Sequence, residues 1–448
     1  MALRRAIVPR LQLAEPGASA PEGASNPVQF FATIWPRREC ASPCSKQCPA
    51  SRHARSVTLS GNEWFFARAA AFAAVCVIAA GASLQAGESK IETLFVARAT
   101  AEHPRHSEAA VIELAGGDLF IAWQEYRAGG TGDSDFAPNS LVCMRSRDGG
   151  WTWGERRTLV ATPEGFTNSY SPSLVRLPTG EIVLTFMHYH SFDRAGKRLY
   201  PPTAAHCWVS RDECATFEPR GTLWGEEPIQ FASSTLKRLG SGRLLLPVSR
   251  DAGDKSRVDH YEAGTCASDD GGATWQLSEA WCDVPKRGAM EPHVEELRDE
   301  WLLIVMRTQM GSIYRSFSTD GGKNWSAGES LGIRAPESCP ALARIPSTGH
   351  LLLVWNDNFD PNHYSHGGKR TPLVAAISID EGATWSKPRP IETDPACAFT
   401  NPGIAFTSTG KMIFNYWTSQ YRPNGAMGDD RIHLKLAIAD VAWLYDDD

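Results

Sequence analysis

The chain has no excess of basic charge. Its 448 residues carry 45 Lys and Arg against 51 Asp and Glu, which gives a formal net charge of -6. Domains that bind nucleic acid usually present a basic face, so this balance argues against nucleic acid as a partner. A negatively charged ligand would need a local cluster of arginines.

The sequence also lacks a metal or cofactor motif. Four of its 11 cysteines lie near the N-terminus, at Cys40, Cys44, Cys48 and Cys76. The other cysteines are scattered without a C-x-x-C pair, so neither a disulfide framework nor a zinc site is predicted. No phosphate-binding loop is present, and no cofactor is implied.

The first 86 residues lack the pattern of a folded domain. Residues 1–60 are rich in Ala, Pro, Ser and Arg without a hydrophobic period, so no packed core is expected there. Arg68 precedes an uncharged run, Ala69–Leu84, that ends in small residues, which is the pattern of a secretory signal. The run is shorter than the ~20 residues of a membrane span. We expect a cleaved signal and a secreted or periplasmic protein; an uncleaved anchor and a buried helix are the alternatives.

The remainder of the chain contains a repeat. A turn followed by a short apolar run recurs six times at a spacing of about 60 residues. The copies are Glu113–Trp123, Arg176–Phe186, Arg238–Val248, Glu296–Met306, Arg344–Trp355 and Ala405–Trp417. Each run is too short for a helix and rich in Leu, Ile, Val and aromatic residues, which predicts a hairpin that leads into a buried strand.

A second motif, S-x-D-x-G-x-T-W, follows each of the first five hairpins. Its copies are Ser146–Trp153, Ser210–Phe217, Ser268–Trp275, Ser318–Trp325 and Ser378–Trp385. We expect the Asp to accept hydrogen bonds from turn amides and the Gly to adopt positive φ, while the aromatic residue packs between sheets. These positions are predicted to be structural turns rather than catalytic sites.

Repeats of this length made of short strands predict an all-β fold, a six-bladed β-propeller over residues 87–448. No S-x-D turn follows the sixth hairpin; only the short apolar segment Ile432–Ile438 does. The early segment Ile91–Ala97 is therefore expected to complete the last blade and remove its exposed edge.

Five such turns, known as Asp-boxes, on six blades resemble the sialidase (neuraminidase) superfamily. The chain is most similar to its bacterial sialidase-like BNR-repeat proteins, and the resemblance covers Ile91 to Tyr445. It is carried by the segments Arg105–Glu108, Glu291–Thr308, Arg344–Asn356 and Lys369–Trp385. The resemblance implies a site that hydrolyses a glycosidic bond to an acidic sugar, without a cofactor.

In this family three arginines hold the sugar carboxylate, and the matching residues are Arg105, Arg307 and Arg370. A planar guanidinium pairs with a carboxylate through two bonds and keeps its charge at any working pH. Glu291 lies sixteen residues before Arg307, where the family places a catalytic Glu. His106, beside Arg105, is expected in the same pocket.

The family's acid/base Asp lies on a loop, which matches the polar segment 129–140. Asp135 matches best and Asp133 second. A carboxylic acid there would protonate the leaving oxygen and then activate water. His293 is two residues from Glu291, hence on the same side of a strand, and is expected to line the pocket.

The chain departs from the family at the nucleophile. The family's Tyr lies about 28 residues after the third arginine, and the matching residue is Phe399, which has no hydroxyl group. The open alternatives are a tyrosine elsewhere (Tyr314, Tyr416 or Tyr421) or water activated by Asp135. Tyr314 and Phe399 are both expected to line the pocket.

These residues predict an exo-glycosidase that acts on a terminal acidic sugar, sialic acid or a related one, of glycans outside the cytoplasm. The alternative is a non-catalytic carbohydrate-binding propeller that keeps the arginine clamp; a purely structural or protein-binding propeller is a third. The first two hypotheses both require that the three arginines meet at the propeller axis, with Asp135 across from Glu291.

Overall fold

A computed structural model describes residues 90–446, except 130–134, 191–201, 254–258, 364–365, 367 and 429–430. The predicted leader and signal segment, and Asp133, lie outside the described residues. Within these ranges no helix is both long and apolar enough to cross a membrane.

Strands dominate the described chain. They are β1 (Glu92–Ala97), β2 (Arg105–Glu113), β3 (Leu119–Tyr126), β4 (Asn139–Ser146), β5 (Gly154–Val160), β6 (Phe166–Arg176), β7 (Ile182–His190), β8 (Thr203–Ser210), β9 (Glu218–Glu227), β10 (Ile229–Gln230), β11 (Lys237–Arg238), β12 (Leu244–Asp251), β13 (Tyr261–Ser268), β14 (Gln276–Leu277), β15 (Met290–Glu296), β16 (Leu302–Arg307), β17 (Ser312–Ser318), β18 (Glu329–Arg334), β19 (Ala341–Arg344), β20 (Leu351–Asn356), β21 (Leu373–Ser378), β22 (Arg389–Glu392), β23 (Cys397–Phe406), β24 (Lys411–Gln420) and β25 (His433–Asp440). Two short 3₁₀ helices cover Pro361–His363 and Val441–Leu444.

The strands form six antiparallel sheets, which confirms the predicted six-bladed propeller. The first, second, fourth and fifth blades have the orders β2-β3-β4-β5, β6-β7-β8-β9, β15-β16-β17-β18 and β19-β20-β21-β22. In the third blade the inner strand is split, so that β10 and β11 both pair with β12, which β13 and β14 follow. The sixth blade is β23-β24-β25-β1.

The first strand of the chain closes the ring, as predicted from Ile91–Ala97. β1 pairs antiparallel with β25, with Glu92 opposite Ile438 and Leu94 opposite Leu436. Leu94 packs in one apolar cluster with Leu436 and Trp123, which joins the sixth blade to the first. The pairing covers the edge that β25 would otherwise expose.

Burial increases from the outer strands towards the core. The second strand of each blade is buried along nearly its whole length, as in β16 and β20, whereas β5 and β18 at the outer edges are largely exposed. Runs such as Leu302–Arg307 and Leu351–Asn356 lack polar alternation because both faces of an inner sheet pack against neighbouring blades.

The five repeated turns lie between the third and fourth strands of their blades and share one hydrogen-bond pattern. In the third blade Asp270 accepts hydrogen bonds from the amide and the hydroxyl of Thr274, at 2.9 and 2.6 Å. Gly272 has φ of 100°, and a Cβ there would lie 2.6 Å from the Sγ of Cys207 on the second blade. The turn therefore packs closely against the preceding blade, where only Gly fits.

The inner strands of four blades contain a bulge near the propeller axis. The ladder register shifts within β2, β6, β15 and β23. At each shift one non-glycine residue is left-handed: Glu108 (φ 50°), Ser171 (51°), Glu291 (42°) and Asn401 (53°). A bulge changes the direction in which a side chain points, and left-handed non-glycine residues are uncommon.

Candidate functional site

All six blades contribute residues to one cavity of about 350 Å³, which therefore lies at the propeller axis. Glu108, Ser171, Glu291 and Asn401, the four bulge residues, are part of its lining. The bulges thus direct one polar side chain from each of four blades into a shared space.

The structure brings the three predicted arginines together at this cavity. Arg105 begins β2, Arg307 ends β16, and Arg370 lies between β20 and β21. All three line the cavity and are 3–4% exposed. Asp135 and Glu291 line it as well.

Arg105 and Arg307 are each paired with an acid. Arg105 forms an ion pair with Asp135, whose side chain is 46% exposed. The Nη1 of Arg307 lies 2.5 Å from a carboxylate oxygen of Glu291, and its Nη2 donates to His366. The charge of Arg307, followed by burial, lowers the pKa of His366, so a neutral imidazole accepts this bond.

Arg370 is held differently and keeps two unused donors. Its backbone N–H donates to the hydroxyl of Tyr421 and its Nη1 to the hydroxyl of Thr400, both at 2.6 Å. The Nε and Nη2 are buried without a hydrogen-bond partner among the described residues. Burial, and then the charge of Arg307, lowers the pKa of Arg370 to about 10. A carboxylate bound here would accept hydrogen bonds from these donors. Its negative charge would offset both the burial of Arg370 and the repulsion from Arg307.

Glu291 is positioned through its backbone. Its N–H donates to the hydroxyl of Ser249 at 2.9 Å, and the bulge turns its side chain towards Arg307. The side chain is 21% exposed, so it remains accessible from the cavity.

Several cavity residues were not predicted from the sequence, among them Glu108, Asn401 and Tyr170. Glu108 is 3% exposed, and its carboxyl oxygens accept from the amide of Asn401 and, at 3.2 Å, from the hydroxyl of Ser233. Tyr170 packs edge-on against Tyr189, with 5.2 Å between the ring centroids.

A positional signal in the repeats marks the bulge residues. Each lies six residues before the residue that opens the first hairpin of its blade; the pairs are Glu108 with Leu114, Ser171 with Leu177, Glu291 with Leu297, and Asn401 with Thr407. Pro follows three of these four residues. Alignment of the blades on their hairpins, rather than on the family motif, would have selected Glu108 and Asn401.

Three residues that were expected to line the pocket lie away from this cavity. His106 is buried and accepts a hydrogen bond from the indole of Trp123 at 3.2 Å. Burial lowers the pKa of His106 to about 4 and that of His293 to about 3, so both imidazoles are neutral parts of the interior. Tyr314 packs on the apolar core between the third and fourth blades.

Phe399 also lies outside the central cavity. Its ring is 2% exposed and lies 6.1 Å from that of Tyr416, edge-on, in the core of the fifth and sixth blades. Its backbone N–H donates to the carbonyl of Arg370 at 2.9 Å. The residue of β23 that lines the cavity is Asn401, two positions further on. Tyr416 and Tyr421 are not part of the lining either, since their hydroxyls bond to Glu392 and to the backbone of Arg370.

Comparison with known proteins places the chain among repeat propellers. The family model for the BNR repeat-like domain matches residues 117–425. A sialidase from Micromonospora viridifaciens is 28% identical over 390 residues, which cover 76% of this chain and 52% of that protein. The chain therefore spans about half the length of this curated relative.

Solved structures share the fold at low sequence identity. A Dyadobacter fermentans protein of unknown function is 19% identical, with a TM-score of 0.60 over 78% of this chain and 99% of its own. The leech intramolecular trans-sialidase, complexed with 2,7-anhydro-Neu5Ac, is 15% identical, with a TM-score of 0.59 over 78% and 70%. The NanB sialidase of Streptococcus pneumoniae is 15% identical, with a TM-score of 0.59 over 78% of this chain and 71% of its own. At these identities the likeness concerns the fold.

Proposed function

The chain belongs to the sialidase-like BNR repeat family, and on this basis we propose that it is an exo-glycosidase of glycans outside the cytoplasm. It removes a terminal acidic sugar, sialic acid or a related one. One observation carries the proposal: three buried arginines from three blades line one cavity, and one of them, Arg370, has two donors without a hydrogen-bond partner among the described residues. The signal-like run Ala69–Leu84 supports the location.

The arginines match a carboxylate in geometry and charge. A guanidinium offers donors in a fixed fork that fits the two oxygens of a carboxylate. Arg105 and Arg307 are partly neutralised by Asp135 and Glu291, so the cavity can hold one further anion without a large excess of either charge. Among the described residues each of the three arginines has an Nε without a hydrogen-bond partner, and Arg370 adds its Nη2.

The size of the cavity favours attack at a chain end. Ligand pockets range over ~300–1,000 Å³, and this one, at about 350 Å³, is near the lower limit. It suits a single sugar unit. Aromatic side chains, among them Tyr170 and Trp417, provide the apolar part of the lining on which a sugar ring packs.

For bond cleavage the resemblance assigns acid/base chemistry to Asp135, with Glu291 as the second carboxylate. Because Phe399 is the residue that matches the family's nucleophilic Tyr and it packs in the core, we propose that water attacks the anomeric carbon directly. An inverting hydrolysis needs one carboxylate that accepts the proton of this water and one carboxylic acid that protonates the leaving oxygen.

The test is hydrolysis of fluorogenic glycosides by the protein from Gly87 onward. We expect release from an acidic-sugar glycoside and none from a neutral hexose glycoside. Arg370→Met should lower kcat/KM by about 10–100-fold, the value of a charge-assisted pair. Arg334→Met is the matched control, because Arg334 is 60% exposed and pairs with Asp357 outside the cavity.

Binding and hydrolysis, measured side by side, distinguish an enzyme from a carbohydrate-binding propeller. Binding of the acidic sugar by calorimetry without release, lost in Arg370→Met, would identify a carbohydrate-binding propeller instead of an enzyme. A folded protein that neither binds nor cleaves any acidic sugar would overturn the proposal.

A further inference from the structure

We propose that Glu108, on the inner strand of the first blade, is the general acid that protonates the leaving oxygen when the glycosidic bond breaks. The inference rests on the proposed function, which it deepens by naming the proton donor. It also changes the role of Asp135, which then acts as a carboxylate base.

The backbone of the first blade is shaped to present Glu108. The residue sits at the bulge of β2 with φ of 50°, a conformation that is unfavourable for Glu, and its carboxyl group lines the central cavity. Strained residues persist where the surroundings hold them, and they cluster at functional sites. Glu291 occupies the corresponding position of the fourth blade, so two bulges supply two carboxyl groups to one space.

Glu108 differs from the other acids at the cavity in its partners. Asp135 pairs with Arg105, and Glu291 pairs with Arg307. Glu108 has no ion pair among the described residues, and it is bonded to two neutral groups, the amide of Asn401 and the hydroxyl of Ser233. A buried carboxyl group without a cation is favoured in its neutral form.

A hydrogen-bond chain connects Glu108 to the arginine clamp. Arg370 donates to the hydroxyl of Thr400 at 2.6 Å, and Thr400 in turn donates to the Oδ1 of Asn401 at 2.7 Å. This second bond fixes the orientation of the Asn401 amide, so that its nitrogen faces Glu108. The group that would hold the sugar carboxylate and the group that would donate the proton are thereby positioned by one network.

The protonation state agrees with this geometry. Burial, and then the charges of Glu291 and Asp135, raise the pKa of Glu108 to about 8. At neutral pH the residue therefore holds its proton. A carboxylic acid kept neutral by its surroundings can donate that proton in the transition state.

The step balances with one water molecule. The C–O bond between the anomeric carbon and the leaving oxygen breaks as Glu108 transfers its proton to that oxygen. Water forms the new C–O bond and gives its proton to the carboxylate of Asp135. The products are the free acidic sugar and an alcohol, and Glu108 regains a proton when Asp135 loses one to solvent. Two carboxyl groups thus suffice without a tyrosine.

A leaving-group comparison tests this role in Glu108→Gln. Two substrates share the acidic sugar; one releases a nitrophenol, which leaves without protonation, and the other releases a sugar alcohol. We expect kcat/KM for the second to fall about 10²–10⁴-fold, and for the first less than about 10-fold. Glu295→Gln, on β15 and paired with Lys237 outside the cavity, is the matched control and should change neither value.

The wild-type enzyme provides an independent readout that does not depend on how the variant folds. Its kcat/KM for the sugar-alcohol substrate should decline as pH rises through about 8, because the acid loses its proton there. With the nitrophenyl substrate this decline should be absent.

The results distinguish a failure of the role of Glu108 from a failure of the proposed glycosidase function. Equal losses with both substrates, or no loss with either, would overturn the role of Glu108 and leave the glycosidase intact, as would a wild-type profile without the difference between substrates. A wild-type protein that cleaves neither substrate would overturn the proposed function, and the role of Glu108 with it.

Discussion

Burial shifts the pKa values of Glu108 and Arg370 in opposite directions. It raises the pKa of Glu108 to about 8 and lowers that of Arg370 to about 10, because a group removed from water is disfavoured in its charged form. Both shifts lower the stability of the folded protein. Both groups line the same cavity, so an acidic ligand that satisfied Arg370 should also stabilise the fold.

The pKa of Glu108 makes folding stability depend on pH. Its folded-state pKa of about 8 exceeds the ordinary value of 4.5, so between these pH values the folded protein binds a proton that the unfolded chain has lost. The free energy of unfolding should therefore fall as pH rises from about 4.5 to 8. We expect the difference in unfolding free energy between wild type and Glu108→Gln to shift by on the order of 3 kcal/mol across this window.

Urea denaturation of both proteins at pH 5 and pH 8 measures this shift. The comparison with Glu108→Gln is needed because buried His106 and His293 have lowered pKa values and change stability in the opposite direction. A difference that stays constant between the two pH values would contradict the assigned pKa.

The sequence identified some site residues and missed others for a physical reason. Arg307 and Glu291 could be found because their separation of sixteen residues spans one hairpin, whose length the fold constrains. Phe399 was expected in the pocket, but it packs in the core, and β23 contains a bulge two residues further on, between Thr400 and Gly403. The strand's usual alternation of faces is interrupted there, so the side chain that reaches the cavity is that of Asn401.

Among the strands, the bulges are the feature that sequence patterns specify least. Turn residues and short apolar runs predicted the six hairpins, but a left-handed Glu or Ser has no propensity signature of its own. Pro follows Ser171, Glu291 and Asn401, and it disfavours a helical conformation at the residue before it. This local restriction is consistent with the bulges but does not by itself select them.

The contribution of a repeated turn to stability can be tested by substituting two adjacent residues, Asp269 and Asp270. Asp270→Ala removes the bonds to Thr274 and Ser268, whereas Asp269→Ala removes an exposed ion pair with Arg243. We expect Asp270→Ala to lower Tm by roughly 2–4 °C and Asp269→Ala by less than about 1 °C, since exposed pairs contribute little. Thermal melting followed by circular dichroism measures both.

The same turn should respond to acid. The hydrogen bonds from Thr274 lower the pKa of Asp270 to about 2, below its ordinary 3.8, so the stability it contributes is present above pH 3.8 and is lost as pH falls towards 2. Equal Tm values for the two alanine variants at pH 7 would show that these bonds do not hold the turn.

For the ring as a whole, the sequence was sufficient to predict the architecture. Six hairpins and five turns repeat the same local chemistry, so an error in one copy, such as the weaker match at Ser210–Phe217, leaves the pattern intact. The residues of the site are not repeated from blade to blade in this way, so the sequence offered no second copy against which to check them. Each side chain of the site occurs once, and its position depends on how six separate blades meet at the axis.

The closing strand is expected to stabilise the entire ring. A chain that begins at Thr100 lacks β1, exposes the edge of β25 and uncovers Leu436, whereas a chain that begins at Lys90 keeps the pairing. We expect the shorter protein to melt at least ~5 °C lower and to self-associate through the free edge. Thermal melting and light scattering compare the two, and identical behaviour would show that β1 is dispensable.

The pairing of Glu92 with Ile438 has a further consequence for how the chain can be connected. Both ends of the propeller lie side by side in one sheet, so a short peptide could join them. New ends placed between β5 and β6, where residues 161–165 are largely exposed, would give a circular permutant in which every blade is built from consecutive strands. Such a protein would keep the contributions of all six blades to the cavity, but its sixth blade would no longer be shared between the two ends of the chain. The geometry of the cavity could then be varied independently of the pairing that closes the ring.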